Sequence, residues 1–353
     1  MKYLFLISLF FILIGSSQAQ TDTSTTAASP PPPRRSGTSQ ETLPTAFQFA
    51  TTGSQLPSDL LHTKSVVFVD IIGAGRTPGP DWHEIAREIH PTFGDIGIDA
   101  VAYYSWQDAN AGPDATRKLA KELNQRYIEN IVYLAYNQES KEYTLLIAPF
   151  DTENPFVDRQ KGAFQLVAGT PATLTSQLDN LVRRSGMEKE NFLVIDVPEF
   201  FVGAGNVIRG KRAEGFAQDL KLDKLAIPRF GTEQDSTLAR IMKPYPYEYA
   251  FVDPQRNEDD LRQEGFQFIL LHLHTQEDNI REMLGYTDEP TDKKASSSSP
   301  KAPPSSRSVY KFYVKHIYTG DVYVGDTWDA SPSWRSALTN YLRYMREDMN
   351  IGQ

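Results

Sequence analysis

The sequence predicts an α/β protein: a duplicated β-α-β-α-β-β-α unit followed by a smaller C-terminal β-β-α unit. A single three-layer α/β/α sandwich is the alternative arrangement. Three observations carry the prediction. Short apolar runs rich in β-branched residues alternate with stretches whose apolar residues recur at helical spacing. Two of these runs have similar sequels: Val67-Phe68-Val69-Asp70 precedes Gly73-Ala74-Gly75, and Val194-Ile195-Asp196 precedes Gly203-Ala204-Gly205. Two Ser/Pro-rich stretches, at residues 20–58 and 289–307, divide the chain into pieces.

The chain opens with Lys2, an apolar run Tyr3–Ile14 and the small-residue tail Gly15–Ala19. That is the pattern of a secretory signal peptide at residues 1–19, cut after Ala19. Its core is too short to span a bilayer. The mature chain is therefore expected to be periplasmic or extracellular, with no membrane span. Residues 20–58 carry Pro30-Pro31-Pro32-Pro33 and too few large apolar side chains to offset ordering entropy, so they read as a disordered tether; Phe47 and Phe49 are its candidates for local docking.

The first unit, residues 59–188, begins with the strand Lys64–Ile72. A helix Asp81–His90, a strand Ile98–Trp106 and a helix Pro113–Tyr127 follow. Ile131–Asn137 and Tyr143–Pro149 form a hairpin. Pro171–Arg184 is a helix capped by Thr170. The second unit, residues 189–288, reads as strand Asn191–Val197, helix Arg212–Leu220, strand Lys224–Arg229, helix Ser236–Lys243, strands Tyr247–Asp253 and Phe266–His274, and helix Gln276–Leu284. After the linker at 289–307, residues 308–353 form a hairpin, Val309–Tyr318 and Val322–Gly325, around Thr319-Gly320-Asp321. The amphipathic helix Ser333–Met349 completes that unit, which is too small to fold alone and is expected to pack on what precedes it.

Strand Val101–Trp106, then Ala111-Gly112-Pro113-Asp114, then a helix, resembles the strand, Cys-Gly-Pro-Cys turn and helix of thioredoxins. The β-α-β-α-β-β-α order is also that family's. Ala111 and Asp114 stand where the two redox cysteines would be, so the resemblance implies the fold without the redox chemistry.

Composition narrows the chemistry. The chain has no cysteine, which excludes disulfides, thiol nucleophiles and iron–sulfur clusters. No cofactor is expected. A net charge of −9 with no basic stripe argues against nucleic acid as a partner. The partner class that remains is an envelope or extracellular protein or a glycan.

Four groups of residues are candidates for a site. Asp70, Asp196 and Asp253 stand at or near strand ends, where α/β sheets bind ligands and metals. Gly205, Gly210 and Lys211 satisfy a GxxxxGK phosphate-loop spacing, with Arg212 in place of the magnesium-binding hydroxyl. His272 and His274 alternate on one strand face, a spacing that can ligate a metal. In the C-terminal hairpin Tyr310, Phe312 and Tyr318 share a face that can stack on sugars or pair with a partner strand. Tyr313 lies opposite with Lys311 and Lys315, and one of the two faces is expected to be wet. There is no G-x-S-x-G signature. The leading expectation is an exported, non-catalytic binding or structural module. The alternative is a metal-assisted hydrolase using the strand-end aspartates.

Overall fold

Leu43 already lies in the core of the computed structural model, which describes residues 43–73, 80–152, 156–191, 197, 199–201, 208, 210–286 and 307–350. The tether reading therefore ends before Leu43. Leu43, Phe47 and Phe49 are buried on one face of the first sheet, and Leu56 on the other. Aromatic burial outweighs the local polarity that made the segment look disordered. The signal-peptide residues and the linker at 289–306 lie outside the described residues.

The first sheet contains β1 (Thr52–Gly53), β2 (Lys64–Ile72), β3 (Asp99–Ser105), β4 (Ile128–Asn137), β5 (Glu142–Asp151), β6 (Phe156–Val157), β7 (Ala163–Ala168) and β8 (Glu199–Phe201). Its order is β1-β7-β5-β4-β2-β3-β8, with β6 paired to β5. Strand β2 is parallel to both β3 and β4, and β4 and β5 form the expected antiparallel hairpin. The helices are α1 (Trp82–Ile96), α2 (Trp106–Ala109), α3 (Pro113–Gln125) and α4 (Pro171–Ser185). The Asp81 carboxylate caps α1, and the Thr170 hydroxyl caps α4. Helix α1 runs past Pro91 because Phe93 and Ile96 continue its buried stripe. One face of the sheet packs on α1 and α4, the other on α3 and the 43–49 segment.

The second sheet contains β9 (Arg212–Ala213), β10 (Leu225–Pro228), β11 (Tyr249–Val252), β12 (Phe268–Gln276), β13 (Ser308–His316) and β14 (Val322–Tyr323), in the order β11-β10-β12-β13-β14-β9. Its helices are α5 (Thr232–Met242), α6 (Glu258–Gln263), α7 (Glu277–Met283) and α8 (Trp334–Asp348). Leu261 of α6 and Ile280 and Met283 of α7 cover one face. Leu238 and Met242 of α5 and Leu338, Tyr341 and Met345 of α8 cover the other. The protein is thus α/β with two mixed sheets, each flanked by helices.

The described strands do not confirm the duplicated, thioredoxin-like order. The first segment adds β6 and β7 before α4. In the second, Arg212–Leu220 is not a helix: it is the short strand β9 and a 3-10 turn at Gln218–Lys221. The two later strands are not neighbours, because β10 lies between β11 and β12 and pairs in parallel with both. The predicted strand at 191–197 falls almost wholly outside the described residues. Glu199–Phe201, just beyond it, returns to the first sheet beside β3. In the C-terminal unit β13 pairs with β12 along its whole length.

Both sheets belong to one unit, Gly37–Gln353. The joint between them is the corner from α2 to α3. Ala111 O accepts a hydrogen bond from His274 N at 2.7 Å. A Cβ on Gly112 would run into the His272 carbonyl oxygen, so only glycine lets the two backbones approach this closely. Asp108, buried, accepts from Thr275 Oγ1 at 2.5 Å and Asn279 Nδ2 at 2.7 Å. Asp114 Oδ2 lies 2.8 Å from Lys315 Nζ, which also meets Glu258 Oε1 at 2.8 Å. The Ala111–Asp114 turn that resembles a redox motif is therefore the structural joint.

Candidate functional site

The candidate site is a cluster of rings on one face of the second sheet, beside the carboxyl end of β10. Strand alternation turns His272 and His274 to the α5–α8 side of the sheet, and their register partners on β13 are Phe312 and Tyr310. Phe230 follows β10 directly. The Asp235 carboxylate of α5 holds it by accepting from Phe230 N at 3.0 Å and Gly231 N at 3.2 Å. Trp334 opens α8. A reciprocal backbone bridge between Tyr310 and Ser331 brings the start of α8 alongside β13.

The rings touch in series. Trp334 meets Phe230 edge-on at 5.0 Å, and Phe230 meets His272 at 5.1 Å. His272 lies 5.9 Å from Tyr310, and Tyr310 stacks on His274 at 3.8 Å with 7° between planes. Phe312 is buried beneath them. Phe230, His272, Tyr310 and Trp334 are half-buried and His274 is exposed, so the cluster presents an aromatic face to solvent.

The site carries little charge. Burial, followed by the neighbouring His274 charge, pushes the His272 imidazole down to about 4. Burial also lowers His274. A neutral imidazole pair fits ring stacking, and the exposed His274 can offer its ring nitrogens to a ligand. Among the described residues no group of three or more His, Asp or Glu is placed to hold a metal ion, so the His272–His274 pair has no third donor there.

His272 should make stability depend on pH. Unfolded histidine protonates near 6.5, whereas the folded ring resists protonation down to about 4. Stability is thus full above pH 6.5 and falls as pH drops toward 4, because the unfolded chain takes up the proton first. At pH 5 the loss is about 2 kcal/mol before solvent screening is discounted. Urea unfolding at pH 7.5 and pH 5 should show this extra loss in the parent and not in His272→Phe. An equal pH effect in both chains would refute the assignment.

The other candidates are dispersed. Asp70 is buried in β2 and accepts from Tyr133 Oη at 2.7 Å, and Tyr133 stacks on Phe47 at 3.9 Å. Burial pushes the Asp70 carboxyl above its usual range, against the opposing pull of the Tyr133 hydrogen bond. Asp253 stands in the other sheet, exposed, and closes a turn by accepting from Gln255 N at 2.8 Å. Asp70 and Asp253 therefore do not converge, and Asp196 lies outside the described residues.

The phosphate-loop candidate is described only in part. Gly205 lies outside the described residues. Lys211 leads into β9, not into a helix. Its backbone N–H donates to Asp321 Oδ1 at 2.6 Å, and Gly210 N donates to Gly320 O at 3.0 Å.

Sequence reasoning missed the buried lysines of β13. Lys311 and Lys315 are 0% and 1% exposed, so the face that carries them is interior. Lys311 Nζ lies 2.7 Å from Asp329 Oδ1 and donates to Val324 O at 2.6 Å. The available signal was their alternation with Val309, Tyr313 and Ile317, an apolar set too large for a wet face. No protein-family model, curated protein or solved structure matches the chain.

Proposed function

We propose that the chain is exported after cleavage behind Ala19 and works outside the cytoplasm as a non-catalytic binding module for glycans. The observation that carries the reading is the solvent-facing ring cluster of Trp334, Phe230, His272, Tyr310 and His274. The rings stand perpendicular, tilted or stacked against one another, and their solvent-facing parts offer apolar area against which the C–H face of a sugar packs. The exposed His274 imidazole supplies a donor and an acceptor for its hydroxyls. The cluster lies on a sheet face beside the carboxyl end of the parallel strand β10, the end at which α/β sheets commonly hold ligands. Lys2, the Tyr3–Ile14 run and the Ser17-Gln18-Ala19 tail support export.

A panel of immobilised, neutral glycan oligomers tests this. The exported chain should bind at least one of them saturably. Trp334→Ala and Tyr310→Ala should weaken that binding by about tenfold or more. Binding that survives both substitutions, or no binding across the panel, would remove the reading.

A further inference from the structure

A second feature lies in the first sheet, at the opposite kind of strand end. Helix α3 closes on Tyr127, held at φ 59°, in the left-handed region that glycine adopts most easily. Tyr127 is 77% exposed, so packing does not explain a bulky residue in this turn. Phe156, the register partner of Asp151, is also in this region, at φ 70°, but its ring is buried against Phe68 and Trp106 and core packing accounts for it. An exposed bulky side chain held in this region, as Tyr127 is, points to a functional role. A cavity of about 460 Å³ opens between the end of α3 and the end of β5, within the range of small-molecule sites. Tyr127 lines it with Asn124, Glu129, Phe150, Asp151 and Lys161. Lys161 Nζ lies 3.8 Å from Asp151 Oδ2 and 4.0 Å from Asp158 Oδ2.

We infer that this cavity is a binding site for a neutral hexose unit, with Tyr127 as its stacking platform. The lining selects the class. An apolar ligand would strip water from Asn124, Glu129 and Asp151 without replacing their hydrogen bonds. An anion would meet two lining carboxylates against one lysine. A neutral polyhydroxylated ring meets neither objection. Its C–H face packs on the Tyr127 ring, and its hydroxyls donate to the carboxylates and accept from the Asn124 amide and the Lys161 ammonium. Tyrosine at this turn then serves the ligand at some cost to the backbone.

The inference stands on different residues from the ring cluster, and one experiment separates them. The exported chain and its Tyr127→Gly, Asp151→Asn and Trp334→Ala variants are titrated with neutral monosaccharides and disaccharides of the common hexoses and N-acetylhexosamines. At least one sugar should bind saturably. Tyr127→Gly should weaken it by about tenfold or more while melting no lower than the parent, because glycine suits the turn. Asp151→Asn should also weaken it, and Trp334→Ala should leave it unchanged. Sugar binding that tolerates Tyr127→Gly, or that Trp334→Ala abolishes, overturns the inference, as does a panel without saturable binding.

Discussion

A chain ending at Arg307 should lose its second sheet, not merely a C-terminal appendage. Strand β13 sits inside that sheet, pairing with β12 from Phe268↔His316 to Gln276↔Ser308 and with β14 on its other side. Helix α8 covers the face on which Leu238, Met242, Phe268 and Leu270 are buried. Truncation leaves those side chains with water as their neighbour, at about 1.5–3 kcal/mol each. Four such residues represent about 6–12 kcal/mol, the whole stability of a typical domain. It also exposes the backbone donors and acceptors of β12 along nine register pairs. Limited proteolysis should cut the truncated chain throughout 212–286, and its thermal transition should broaden or vanish. An unchanged melting temperature would show that residues 308–353 are dispensable to the core.

The legibility of this fold tracks the range of the forces that make each element. Helices α3 and α4 were legible because caps and helical apolar spacing are local: Gly112-Pro113 opens one, and Thr170 caps the other. The β4–β5 hairpin was legible for the same reason. Arg212–Leu220 was misread because its apolar residues are buried in the core from a strand and a 3-10 turn, Phe216 against Tyr341 of α8, instead of forming a helical stripe. The segment at 43–49 looked like tether because nothing local shows that Phe47 will stack on Tyr133. For the site, the alternation His272, His274 was visible, and so was the aromatic face of β13. Phe230 and Trp334 were not, because they reach the cluster from other elements through Asp235 and the Tyr310–Ser331 bridge. The exposed Tyr127 was hidden differently: the helix ends two residues earlier than apolar spacing implied, and Tyr127 closes the turn instead of joining the helix.

Lys315→Met should be the most damaging single substitution at the joint between the sheets. The ammonium is 1% exposed and lies within 3.0 Å of both Asp114 oxygens and of Glu258 Oε1. Asp114 is only 3% exposed. Methionine fills most of the lysine volume, so the loss is of charge and not of packing. Two carboxylates then remain side by side with one fewer cation. Arg117, 3.1 Å from Asp114 and 3.6 Å from Glu258, cannot replace it fully, because its side chain is 39% exposed at the rim. Removing one partner of a buried ion group costs about 3–5 kcal/mol, most of it the desolvation of what is left unpaired. Urea unfolding should show that loss, and salt should restore little of it, since the cluster is shielded from screening ions. Adding Asp114→Asn and Glu258→Gln to Lys315→Met removes the stranded charges and should recover a substantial part of the stability. If the triple variant is no more stable than Lys315→Met alone, stranded charge is not the cause. The joint would then rest on Gly112 and the Ala111–His274 hydrogen bond, which these substitutions leave in place.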